Sequence, residues 1–145
     1  MNSAASVRQL YLQYYADADA AVKKCGPADG LFGLGKKAAD DPCHTAFFEA
    51  LEKKLAQFRQ EEPDSGAVRA LLSFIYEAPD THREPVSAYW MLIAAHGLTA
   101  GLIGSLCRED AAALYDDYRS RYRRWERLPV QKDILQMLKQ AAQKD

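Results

Sequence analysis

β-Branched residues are scarce in this sequence. Valine, isoleucine and threonine together occur 12 times in 145 residues, against 24 alanines and 16 leucines. Strands favour β-branched side chains and helices favour alanine and leucine, so the composition argues against a sheet. No stretch alternates apolar and polar residues long enough to read as a strand, and no internal repeat is present. Cysteine is also scarce. Cys25, Cys43 and Cys107 are odd in number and widely spaced, which excludes a disulfide framework and a paired-thiol zinc pattern and points to a reducing compartment. Charge of either sign is not in excess: 19 Lys and Arg face 20 Asp and Glu. That balance gives no overall attraction to nucleic acid, anionic lipid or a basic partner. Met1 to Tyr15 carries an arginine and polar residues where a signal peptide has an apolar run, so a cytoplasmic location is expected.

What is present is helical periodicity. The length suits one domain with a core of its own, and the expectation is a single all-α domain over 1–145 with about six helices. The first starts near Ser3 or Ser6 and runs to Lys24, with Val7, Leu10, Tyr14, Ala18 and Ala21 on one face. Cys25-Gly26-Pro27 stops it. Residues 26–40 follow as a glycine-rich irregular loop. Asp41 as cap and Pro42 at the first position open the second helix, whose stripe is Phe47, Leu51, Leu55 and Phe58. The acidic stretch Glu61-Glu62-Pro63-Asp64 ends it and supplies the cap of a third, with Val68, Leu71, Leu72 and Ile75 inward and Ala78-Pro79 closing it. Residues 80–84 read as a polar turn.

Pro85 opens a fourth helix, expected to run to Leu106 or Cys107. Val86 to Leu106 contains no charged residue. Such a helix is either the centre of a bundle or a membrane span; its mean hydropathy, about 1 against the roughly 1.6 a span requires, favours a central core helix over about 85–106. Gly97, Gly101 and Gly104 fall near one side of it and predict close approach of another helix. The fifth helix follows Arg108-Glu109-Asp110, with Leu114, Tyr115, Tyr118, Tyr122 and Trp125 on a broad face. Leu128-Pro129 opens the sixth, with Val130, Ile134, Met137, Leu138 and Ala141 inward.

Three segments carry candidate chemistry. Gly30 to Lys37 matches a phosphate-binding loop except at Lys37, where a magnesium-binding Ser or Thr is needed, and a helix precedes it where the motif requires a strand. Nucleotide binding there is not expected. Leu31, Phe32 and Leu34 in the same loop either plug the bundle or form an apolar contact tip. Cys43 and His44 occupy the first turn of a helix, where the dipole favours a thiolate. Adjacent helical residues point about 100° apart, so a catalytic base or second ligand for Cys43 would have to come from elsewhere, with His96 as candidate. Finally, Arg119 to Arg127 holds five arginines, and Arg121, Arg123 and Arg124 with Tyr122 and Trp125 resemble a phosphate-and-base surface. Asp116, Asp117 and Glu126 offset that charge, and Asp117 with Arg121 reads as an ordinary helix pair.

The expectation drawn from this is a non-catalytic helical protein that works through contacts with a protein partner or itself, a homodimer being one form. No cofactor, metal or membrane is expected. The alternatives are a thiol- or metal-dependent enzyme centred on Cys43, His44 and His96, and an RNA or single-strand binder using Arg119 to Arg127.

Overall fold

A computed structural model describes residues 3–25, 41–82, 85–121 and 128–143. The chain is all-α, and among the described residues there is no strand. The loop over 26–40, with Leu31, Phe32 and Leu34, and the Tyr122, Arg123, Arg124 and Trp125 positions lie outside the described residues.

Helix α1 (Ser3–Cys25) and helix α2 (Cys43–Gln60) pack along each other in opposite directions. Three contacts set their register: Ser3 Oγ donates to Glu61, Lys54 Nζ donates to Ser6 Oγ, and Tyr14 meets His44. The seam between them holds Val7, Tyr11, Tyr14 and Ala18 against Phe47, Leu51, Leu55 and Phe58, all buried. Tyr11 takes the inward place expected of Leu10, which is only partly buried. The turn after α2 places Glu62 at a φ of 52°, a left-handed conformation uncommon outside glycine.

Helix α3 (Ser65–Thr81) starts where Asp64 accepts a hydrogen bond from the Ala67 N–H at 2.8 Å. It does not stop at Ala78-Pro79. Pro79 lies inside its last turn, and the helix ends only when Thr81 Oγ1 and the His82 N–H both bond back to the Ala78 carbonyl. A proline this near the C-terminal end removes one N–H, the one owed to the carbonyl of Ile75, without breaking the turns before it.

The uncharged segment is not one continuous helix. It runs as α4 (Pro85–Trp90), a π-helical turn (Met91–Ala95), α5 (His96–Leu98) and α6 (Ala100–Ile103). The break at Thr99 has a local cause: its hydroxyl donates to the His96 carbonyl at 2.7 Å, competing with the helical ladder. Ser87, Met91, Leu92, Ala95, His96, Thr99, Leu102 and Ile103 are buried against neighbouring helices, whereas Tyr89, Gly97, Gly101 and Gly104 are exposed. No helix among the described residues is long and apolar enough to cross a membrane. Helices α7 (Arg108–Arg121) and α8 (Pro129–Ala142) pair with each other; α7 also packs on α3, and α8 on α5 and α6. Buried side chains from every long helix belong to one apolar cluster.

Candidate functional site

Each of the three histidines is engaged by a tyrosine. At the start of α2, His44 is buried, and its Nδ1 shares a hydrogen bond with the Tyr14 hydroxyl at 2.7 Å. Trp90 lies parallel to the imidazole at 5.9 Å, and Phe47 stacks on Tyr14 at 3.9 Å. His82, at the end of α3, stacks on Tyr15 at 4.4 Å and places Nε2 3.4 Å from Asp19. His96 is fully buried, with Nδ1 2.9 Å from the Tyr118 hydroxyl. Tyr76 stands edge-on to both His96 and Tyr118, and its hydroxyl meets Thr99 Oγ1 at 2.8 Å.

Burial fixes the protonation state of the His96 group. Desolvation pulls the imidazole pKa down from 6.5 to about 3, opposed by a hydrogen bond with the Ile75 backbone carbonyl. His96 is therefore neutral at pH 7. Burial also raises the Tyr76 hydroxyl above its ordinary value.

Cys43 behaves opposite to what a helix N-terminus alone predicts. Its thiol is pushed up to about 12, first by desolvation and then by the carboxylate of Asp41 through a hydrogen bond and through its charge, with Asp17 adding to the effect. Asp41 also accepts a hydrogen bond from the Cys43 backbone N–H at 2.9 Å. One carboxylate thus caps the helix and holds the thiol protonated, which outweighs the dipole. His44 turns to Tyr14 and Trp90, and His96 to Tyr118 and Tyr76, so the three candidates divide among separate networks. Among the described residues no group of three or more His, Cys, Asp or Glu side chains is placed to hold a metal ion.

Arg121 pairs with Asp117 as its spacing predicts, and also with two α3 carboxylates: Asp80 at 2.6 Å and Glu77 at 3.4 Å. Its guanidinium joins α7 to α3, and a phosphate arriving there would meet three carboxylates. A comparable staple joins the starts of α3 and α7. Ser65 Oγ accepts from the Cys107 N–H at 2.7 Å and donates to Asp110, which also takes Arg69 at 3.0 Å. Those bonds hold the half-buried Asp110 carboxylate below its ordinary range. Of the residues that complete the histidine networks, the sequence marks Tyr14 and Tyr118 only as face residues and Thr99 only as part of the uncharged segment, and it does not single out Tyr76; a tyrosine on a buried stripe in a chain with buried histidines is the signal that could have found the three tyrosines.

The surface has a different character along the uncharged segment. Gly101, on α6, lines a groove of about 180 Å³ between α2 and α6 together with Glu52, Leu55, Ala56, Arg59, Leu98 and Leu102. A second hollow of about 280 Å³ lies on the other side of α6, between Gly104 and Met137. A side chain at Gly101 would meet only the Arg59 guanidinium, with Nη1 3.1 Å from the Cβ position, and one at Gly104 would meet nothing within 4 Å. Gly97 approaches Val130 at ordinary contact distance. Compared with protein-family models, curated proteins and solved structures, the chain matches none of them.

Proposed function

We propose that this chain is a non-catalytic helical protein that acts through contacts with another protein chain, in a reducing, cytoplasmic setting. The observation that carries the reading is the outer side of 86–106. It is exposed at Tyr89, Gly97, Gly101 and Gly104, yet the segment has no charged residue in 21 positions. A solvated helix face normally carries charge, and an uncharged, glycine-paved one suits close approach of another backbone. Cys43 supports the same reading from the opposite side, because a thiol held protonated is a poor nucleophile and a poor metal ligand.

The test is alkylation of the folded protein by iodoacetamide at pH 7.5, read by mass spectrometry. Three pKa units lower the thiolate fraction about a thousandfold, and the greater nucleophilicity of the more basic thiolate recovers roughly half of that on a logarithmic scale. Cys43 should therefore react at least about 30-fold more slowly than the exposed Cys107. A Cys43 that outpaces Cys107 at neutral pH overturns the reading in favour of thiol chemistry.

A further inference from the structure

We propose that the groove between α2 and α6 receives a second copy of this chain about a two-fold axis, with Glu52 of each copy paired to Arg59 of the partner subunit. The inference rests on the contact-mediating reading above and specifies its partner.

The argument starts from spacing on α2. Glu52, Ala56 and Arg59 are exposed and lie at steps of four and three residues, so they share one stripe of the helix. That stripe forms one wall of the groove, and Leu98, Gly101 and Leu102 form the other. Among the described residues neither Glu52 nor Arg59 has an ion-pair partner. They are seven positions apart, about 10.5 Å of helix rise. When two copies of α2 cross antiparallel, the two-fold axis falls midway, beside Ala56, and each Glu52 then faces the partner subunit's Arg59. A patch that carries one charge of each sign, equidistant from a small residue, is complementary to itself under this one operation, as a closed two-fold interface requires. The small side chain of Ala56 allows close approach where the helices cross, and the Arg59 guanidinium lies beside Gly101, with Nη1 3.1 Å from the Cβ position there. The floor of Leu55 and Leu102 is already buried, so Leu98 is its apolar side chain with surface left to lose, and the two ion pairs set the register. An unrelated partner helix could enter the same groove, but its charge pattern would not have to mirror that of this chain.

The experiment is sedimentation equilibrium of the full chain over a wide concentration range, with three variants. The wild type should approach twice the 16.2 kDa chain mass. Glu52→Arg alone and Arg59→Glu alone each place like charges together twice per dimer, and each should weaken self-association by roughly tenfold or more. An equimolar mixture of those two variants should recover association, because every juxtaposition in the mixed dimer is again of opposite sign. Gly101→Leu fills the groove at an exposed helical position and should abolish the dimer while leaving the monomer's melting temperature unchanged or higher. A monomer at every concentration overturns the proposal, and so does a dimer indifferent to the charge variants or to Gly101→Leu. Neither outcome touches the contact-mediating reading itself, which falls on the reactivity of Cys43 instead.

Discussion

Acidification from pH 6.5 to about 3 is expected to remove several kcal/mol of folding stability, and replacing His96 is expected to remove most of that dependence. The folded state holds the imidazole neutral with a pKa of about 3, whereas the unfolded chain returns it to 6.5. Between those values the unfolded state binds the extra proton, so stability is full above pH 6.5 and falls as the pH drops through the window. Below about 3 both states are protonated and this contribution is constant. Each pKa unit corresponds to about 1.4 kcal/mol, which sets an upper limit near 5 kcal/mol for the whole window. Asp110 acts later, because a depressed carboxylate loses its stabilising contribution only as the pH falls below 3.8. Urea unfolding followed by circular dichroism at pH 7.5, 5.5 and 4.0 measures the slope. His96→Phe keeps a ring in place but removes the hydrogen bond to the Tyr118 hydroxyl, so it should cost roughly 1–3 kcal/mol at pH 7.5 and show little change from there to pH 4. Adding Tyr118→Phe should recover part of that loss and keep the flat profile. A wild-type protein as stable at pH 4 as at 7.5 would refute the neutral, buried His96.

The elements that were legible in the sequence are those whose causes are local. Phe47, Leu51, Leu55 and Phe58 recur at helical spacing on α2, as do Val68, Leu71, Leu72 and Ile75 on α3, and all eight are buried. Asp64 caps α3 because an acceptor there answers N–H groups that every helix start leaves open. Where local signals compete, the sequence misleads. Pro79 has the chemistry of a helix stop, yet α3 continues to Thr81, because a proline in the last turn removes only one N–H. The uncharged run of 86–106 looks like a helix buried on all sides, but charge is absent from its exposed side as well, and Thr99 interrupts it.

The candidate site was legible in its residues and not in its partners. His44 and Tyr14 are 30 positions apart, and His96 and Tyr118 are 22 apart; only the crossing of helices brings each pair together. Asp117 was visible beside Arg121 on the same helix, whereas Asp80 and Glu77 come from α3. Cys43 is the instructive case, since the carboxylate with the largest effect on it is only two positions away. The helix N-terminus and Asp41 act on the thiol with opposite signs, and the side-chain orientation of Asp41 together with burial decides the outcome.

Phe47→Ala should be among the most destabilising single replacements in the chain, at roughly 3–5 kcal/mol, because it removes a buried ring from the α1–α2 seam and leaves a cavity. The ring stacks on Tyr14 at 3.9 Å and meets the edge of Tyr11 at 5.1 Å, so both tyrosines lose their packing surface together. Tyr14 in turn holds His44, the residue next to Cys43. The loss should therefore spread to the first turn of α2 before the rest of the protein opens. Phe47→Leu keeps most of the volume and should cost less than half as much. Urea unfolding measures the stability change, and iodoacetamide labelling at pH 7.5 measures the spread. In Phe47→Ala, labelling of Cys43 should rise roughly tenfold or more while Cys107, held by the staple between α3 and α7, is unchanged. If both cysteines accelerate together, the molecule opens as one unit and the seam has no local stability of its own. If Cys43 alone accelerates, the Phe47–Tyr14–His44 stack is what keeps that partly buried thiol beside Asp41 and protonated.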